Sequence, residues 1–369
     1  MKVKWLPDKP LVMSISILLL LLCACEHDPI NPPEDTEWKV ATPESQGLDG
    51  SVIAAYSNLA ANGRFGNMHS LLVIRHGYLV HEAYFQGFSR ERLHQVYSVT
   101  KTFVAALIGI ALERGIISDI QIRMLPFFTQ YPEIANMNAW KRAITLRNLL
   151  TMQAGFLWDE ESTSSDSPQN SLFGLYDAPD WYKYMLDQPM SDDPGTVFAY
   201  NSGCSVLLGG ILSRASAGSP AIFARQNLFN PIGIEQFSWD EGSPGVCNTG
   251  WGLWLRPRDM GKFGELLLRS GNWRGNQVIA PSWVQALLSC QVVLGDHFGY
   301  GYQIWMMPLR PNPAVNKYEI KIAWGYGGQF IFIIPGLDMV VVSTAANFVN
   351  DGGAIDFIQE MLASAVQNQ

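Results

Sequence analysis

No lysine- or arginine-rich run stands out in this chain of 369 residues, where 25 basic residues stand against 33 acidic ones. Phosphate binding needs a concentrated basic face, so the sequence argues against a nucleic-acid partner. The formal charge of −8 says little beyond solubility. Cysteine is scarce, five in all, with no C-x-x-C spacing and no Cys/His metal pattern. The sequence therefore offers no cysteine-based metal site. The Gly-x-Ser-x-Gly elbow of α/β-hydrolases is missing, as are H-E-x-x-H and the P-loop. Nor is there an internal repeat. What remains is a composition 48% hydrophobic and 12% aromatic with only 16% charge, which is that of a folded protein. The length allows one large domain or two intimately packed ones.

The N-terminus reads as a targeting segment and leaves the fold argument. Lys2, Lys4 and Lys9 precede an apolar stretch from Leu11 to Leu22. At about a dozen residues it is short of the roughly 20 needed to span a bilayer. It ends in Leu22-Cys23-Ala24-Cys25, which resembles a bacterial lipobox. Cys25 fits as the lipidated residue, because Cys23 would have the bulky Leu22 before it. The alternative is an ordinary secretory signal with incidental cysteines. We expect a signal peptide over residues 1–24, a Pro/Asp/Glu-rich tether over 25–45, and a folded domain over 46–369. The expected location is the cell envelope of a bacterium, with a lipid anchor as the sole membrane contact. Cys204, Cys247 and Cys290 remain in the mature body, an odd count that leaves at least one free thiol.

Residues 51–61 carry Ala and Leu at helical spacing. Strands are expected over 70–75 and 78–85, around the turn His76-Gly77. Near the other end, 329–334 and 339–344 are β-rich runs joined by Pro335-Gly336-Leu337-Asp338, with 302–307 and 318–323 as neighbours. Residues 354–366 form an amphipathic helix. From Ser98 to about Leu288 the signals are mostly helical: Thr145 caps a short helix that Gly155 ends, and Pro257 and Pro281 suit first turns. The expected fold class is α+β, an antiparallel sheet built from both chain ends, covered by helices, with a mainly helical insert beside it. A cleft between two such parts is a natural active site.

The chemistry centres on Tyr97-Ser98-Val99-Thr100-Lys101, which opens the nearly all-apolar stretch Phe103–Leu112. A helix apolar all round is a buried helix. Ser98 and Lys101 are three apart and share a face of its first turn. Burial and the positive end of the helix dipole both disfavour an ammonium there. A neutral Lys101 amine can then take a proton from Ser98, and free N–H groups of the turn can hold an oxyanion. Ser-x-x-Lys alone is a weak signal; the competing reading is a Ser98 cap with Lys101 reaching solvent. Two further segments add weight. Phe198-Ala199-Tyr200-Asn201-Ser202-Gly203 leads into another apolar run, and Trp324-Gly325-Tyr326-Gly327-Gly328-Gln329 opens a strand with glycines that let a substrate approach the backbone.

Together these segments resemble the serine β-lactamase-related family, which includes class C β-lactamases, D-Ala-D-Ala carboxypeptidases, certain esterases and 6-aminohexanoate-dimer hydrolases. The resemblance runs from about Leu48 to Ala365. It also rests on Ile144-Thr145-Leu146-Arg147-Asn148-Leu149-Leu150, Gly252-Leu253-Trp254, Pro257-Arg258-Asp259-Met260 and Gly299-Tyr300-Gly301-Tyr302. It implies a β-lactamase/transpeptidase-like fold and an acyl-enzyme on Ser98, with no cofactor and no metal. Lys101 and Tyr200 would shuttle the proton, and the backbone N–H groups of Ser98 and Gln329 would form the oxyanion hole. Gly328, Tyr326, Ser202 and Asn201 would border the substrate, and Asn201 or Ser202 would bond Lys101 or the substrate. The sequence departs from the family at two motifs. Tyr-x-Asn becomes Tyr200-Asn201-Ser202, and Lys-Thr-Gly or His-Thr-Gly becomes the uncharged Tyr326-Gly327-Gly328. The missing cation favours esters or amides without the carboxylate that β-lactams carry. The expected function is therefore an ester- or amide-cleaving serine hydrolase. The alternatives are a β-lactamase or D-Ala-D-Ala carboxypeptidase, and a non-catalytic lipoprotein that binds peptidoglycan or penicillin.

Other features carry blander readings. His94 is read as structural. Asp159, Glu160 and Glu161 are read as a solvated acidic loop. Residues 162–194 are either a lid or a surface excursion with core anchors. Trp158, Trp251, Trp254 and Trp305 are read as core, with pocket walls as the alternative, and Asp259 as a first-turn electrostatic residue.

Overall fold

The computed structural model describes residues 37–162, 167–295, 298–309, 318–349 and 352–366. The signal segment, Cys25 and most of the tether lie outside the described residues, and the compact body starts at Trp38. That body starts earlier than residue 46. Trp38 is buried edge-on against Trp273, with ring centroids 5.9 Å apart. Strand β1 (Lys39–Val40) pairs in parallel with residues 78–79. The prolines and acids around one tryptophan hide this from a composition argument.

The remaining strands of the main sheet are β2 (Met68–Arg75), β3 (Tyr78–Tyr84), β4 (Val292–Gly295), β5 (Phe298–Tyr300), β6 (Trp305–Pro308), β7 (Glu319–Gly325), β8 (Gln329–Ile334) and β9 (Met339–Ala345). Their order is β1-β3-β2-β9-β8-β7-β6-β5-β4, antiparallel throughout except at β1. The turn between β2 and β3 has positive φ at both His76 (53°) and Gly77 (79°), the geometry that matches strand twist. Strand β2 meets β9 from Arg75 opposite Met339 to Met68 opposite Ala345. The two ends of the chain are thus zipped together at the sheet centre, as the sequence predicts.

The central strands are apolar on both faces, because helices cover both. The principal helices are α1 (Gly50–Ala61), α2 (Val99–Glu113), α3 (Ser202–Ser216), α4 (Pro257–Leu268) and α5 (Gly352–Ala365). Leu71, Val73, Phe332 and Val341 share one core with residues of α1 and α5. Leu72, Ile74, Ile333 and Val342 alternate with them and share the other core with α2, α3 and α4. Each such side chain contributes about 1.5–3 kcal/mol on burial. Helix α4 lies so close to the sheet that a Cβ at Gly264 would sit 2.6 Å from Val340.

The insert departs from expectation in one detail. Thr145 caps residues 146–150 in a reciprocal box with Asn148, but the helix stops there, with Met152 at φ 56°. Gly155 (φ 79°) serves the next turn, where a Cβ would meet the Asp192 carbonyl oxygen at 2.3 Å. Trp181 and Tyr182 are buried, so the described part of the 162–194 segment is a surface excursion anchored in the core. Cys204, Cys247 and Cys290 are all free thiols.

Candidate active site

Helix α2 begins beside the end of β7, and its start is held in an unusual backbone conformation. Tyr97 has φ 47°, a left-handed value that costs a non-glycine residue about 1–2 kcal/mol. Tyr97 packs edge-on against Tyr326 and Phe348, which helps hold it there. The result places Ser98 at the N-cap position, yet its side chain makes no capping bond. It faces Lys101 instead. The Lys101 Nζ lies 2.8 Å from Ser98 Oγ and 2.8 Å from the carbonyl oxygen of Gly250. Lys101 is 1% exposed, so the snorkelling alternative fails. Its desolvation pulls the amine down to about 8, against weaker pulls upward from Glu160 and Cys204.

Tyr200 closes this group. Its ring lies 5.1 Å from Lys101 Nζ, and its hydroxyl is near enough to Ser98 for that side chain to pull the phenol downward. Burial, reinforced by the Glu160 charge, raises the phenol well above its ordinary value, so Tyr200 rests protonated. Its ring stacks on Trp305 at 5.4 Å. The structure thus brings Ser98, Lys101 and Tyr200 together at the floor of a cleft of about 360 Å³. Glu160, Glu161, Phe298, Trp305, Trp324 and Tyr326 complete the lining. Close approach of the end of β7 shapes one wall, since a Cβ at Gly325 would sit 2.3 Å from the Val96 carbonyl oxygen.

The beta-lactamase family model matches residues 56–363 of the chain. The chain belongs to the beta-lactamase family. A 6-aminohexanoate-dimer hydrolase of Paenarthrobacter ureafaciens is 23% identical over 304 residues, covering 75% of this chain and 72% of that one. Two solved structures share the fold. EstCE1, a hydrolase with promiscuous acyltransferase activity, has a TM-score of 0.69 at 16% identity, covering 87% of this chain and 99% of its own. A D-stereospecific amidohydrolase from Streptomyces sp. has a TM-score of 0.64 at 14% identity, covering 82% and 97%. The β-lactamase/transpeptidase-like fold and membership of a serine hydrolase family with amidase and esterase relatives are thereby established.

Within this beta-lactamase-family frame, several residues sit elsewhere than the motifs suggested. Asn201 caps α3 by accepting from Cys204 N at 3.1 Å, and bonds neither Lys101 nor the cleft. Ser202 donates its hydroxyl to Glu160 Oε1 at 2.7 Å, not to Lys101. Gln329 is fully buried: its side-chain amide donates to the carbonyl oxygens of Ala345 and Tyr326, and its backbone pairs with Gly325 in the hairpin. Gly328 is also covered, near the Ala345 side chain. Of this hairpin turn only Tyr326 borders the cleft, its hydroxyl donating to the Phe348 carbonyl. The reason is length: three residues separate paired Gly325 and Gln329, so the chain has turned away by Gly328.

The acidic loop is the main correction. Glu160 is not a solvated residue; its carboxylate lies in the cleft. It accepts from Trp158 Nε1 (2.8 Å), Ser202 N (2.8 Å) and Ser202 Oγ (2.7 Å). Charge runs usually mark surface, and no local signal distinguishes Glu160 from Asp159 or Glu161. A tryptophan two residues before it was the one available cue. His94 is structural as read: it pairs with buried His69 at 2.7 Å, and burial holds both rings below their usual values. Asp259 bonds Arg256 and Lys262 inside the fold. Trp305 is a cleft wall, whereas Trp158 and Trp251 are buried. Among the described residues no His/Cys/Asp/Glu group could hold a metal ion.

Proposed function

We propose that the chain hydrolyses an ester or amide through an acyl-enzyme on Ser98, with Lys101 as base and Tyr200 as second proton carrier. The observation that carries this reading is the 2.8 Å contact between the Ser98 hydroxyl and an amine held near 8 by burial. In its neutral form Lys101 takes the Ser98 proton as Oγ attacks the carbonyl carbon and the carbonyl electron pair moves onto oxygen. The protonated phenol of Tyr200 suits it to hand a proton to the departing amine or alcohol, being restored through Lys101. Water then attacks the acyl group by the reverse path. The oxyanion donors are the backbone N–H groups of Ser98 and Tyr326, both at the cleft and neither bonded within the described protein. Tyr326 replaces Gln329 in that role.

The lining also bears on substrate. It offers aromatic walls from Phe298, Trp305 and Trp324 and two carboxylates, and among the described lining residues no cation. An anionic substrate such as a β-lactam meets repulsion rather than a counter-ion there. A neutral ester or amide with an apolar acyl or leaving group suits the site. We place the enzyme in the cell envelope, held by a lipid on Cys25, which follows from the N-terminal sequence alone. The test compares turnover of short-chain p-nitrophenyl esters with that of nitrocefin. Ester turnover that vanishes in Ser98→Ala, with nitrocefin slow or inert, fits the proposal. Ester turnover retained in Ser98→Ala removes it, and rapid nitrocefin turnover favours the β-lactamase alternative.

A further inference from the structure

Glu160 is a charged group that the proton relay above does not use, and its surroundings are specific. Its carboxylate shares the cleft floor with Ser98 and Tyr200. Three donors hold it: the Trp158 indole, and the backbone N–H and hydroxyl of Ser202. Ser202 is the first residue of α3 and lies two positions after Tyr200, so Glu160 is tied to the turn that presents the phenol. Among the described residues no basic group pairs with it at ion-pair distance; burial raises its carboxyl above the ordinary value, and the opposing pull that favours its charged form comes from Lys101 and from the Ser202 and Trp158 donors. A half-desolvated carboxylate is costly to keep charged without compensation. Serine attack creates an ammonium at Lys101 just where burial opposes one.

We propose that Glu160 is a positioning residue of this site: it fixes the Tyr200–Ser202 turn and supplies the negative charge that balances the Lys101 ammonium formed when Ser98 gives up its proton. This rests on the Ser98–Lys101 reading. No covalent change occurs at Glu160. The proton moves from Ser98 Oγ to Lys101 Nζ, and the carboxylate stabilises the product of that transfer through space. The other titratable groups facing the pair are Tyr200, Cys204 of α3, Tyr300 of β5, Tyr176 and Glu161. Burial raises the three phenols and the thiol above their ordinary values, so all four stay neutral and leave the balance to the acids. Glu161 is exposed, so its charge is screened more strongly.

Glutamine tests the charge without dismantling the bonds. Its amide oxygen can accept from Trp158 and Ser202 N, which share Oε2, while its NH2 donates to the Ser202 hydroxyl. The experiment follows the rate of Ser98 labelling by a fluorophosphonate against pH in the wild type, Glu160→Gln and Glu160→Asp. In Glu160→Gln the ammonium loses its counter-charge, so the acid limb moves to lower pH by on the order of one unit. The plateau falls by about tenfold, because a weaker base drives proton transfer less. Glu160→Asp keeps the limb at its wild-type position. A Glu160→Gln profile that superimposes on the wild type overturns the proposal, and so does a Glu160→Asp profile shifted as far as that of Glu160→Gln. A wild type that takes no label at Ser98 instead brings down the underlying mechanism. Thermal melts of Lys101→Met, Glu160→Gln and their combination read the same coupling. The double variant should be more stable than the two single changes sum to, even where Glu160→Gln alone fails to fold. Simple additivity, or failure to fold in both backgrounds, leaves Glu160 a purely structural residue.

Discussion

Lys101 makes a quantitative demand on the pH dependence of acylation. With its amine held at about 8, about one tenth of the molecules carry a neutral base at pH 7 and about one hundredth at pH 6. The rate of Ser98 labelling should thus rise about tenfold per unit up to about pH 8 and level off above about pH 9. The same ionisation appears in stability. The folded-state value lies below the ordinary value of about 10.4, so between about 8 and 10.4 the unfolded chain binds more protons, and folding is favoured increasingly as pH rises. Below about 8 the full penalty applies, and about 2.4 units at 1.36 kcal/mol each make it about 3 kcal/mol. Lys101→Met removes that penalty but leaves the Gly250 carbonyl without its donor, at about 1–2 kcal/mol. The variant should therefore lose acylation by several powers of ten while gaining about 1–2 kcal/mol of stability at neutral pH. Stopped-flow labelling across pH and denaturant melts at neutral and alkaline pH measure both. A labelling profile flat from pH 6 to 9, or a Lys101→Met variant that melts earlier than the wild type at neutral pH, would refute the reasoning.

Two further outcomes follow from the same geometry. Tyr200→Phe keeps the Trp305 stack but removes the proton carrier, so kcat for amides should fall by about 10²–10⁴ while esters, whose leaving groups need less protonation, lose less; steady-state kinetics on matched ester and amide pairs check it. Gly325→Ala drives a methyl to within 2.3 Å of the Val96 carbonyl oxygen, a backbone clash that must push β7 off the Ser98 turn. It should cost about 1–3 kcal/mol in melting experiments and lower kcat/KM by about 10².

Much of this fold could be read from periodicity and punctuation. The alternation of Leu71 and Val73 with Leu72 and Ile74, and the His76-Gly77 turn, follow local rules, and so does the first-turn proline of α4. The all-apolar run after Ser98 announced a buried helix for the same reason, and that burial brings Lys101 against the serine. Non-local properties were not legible. Glu160 lies 40 to 62 residues from Tyr200, Lys101 and Ser98 and takes its role from a loop path that no local pattern encodes. Gln329 followed from counting along a motif, whereas the tight hairpin after Gly325 puts Tyr326 at the cleft instead. Trp38 was masked by the prolines and acids around it, because composition averages over the one residue that packs.

The central claim is a covalent bond between substrate and Ser98. Intact-mass spectrometry after brief exposure to a panel of activated esters and amides, followed by peptide mapping, measures it directly. The account predicts a single acyl adduct on the peptide containing Ser98, absent from Ser98→Ala and slowed by several powers of ten in Lys101→Met. An adduct on any other residue, or substrate turnover by Ser98→Ala at the wild-type rate, would contradict it.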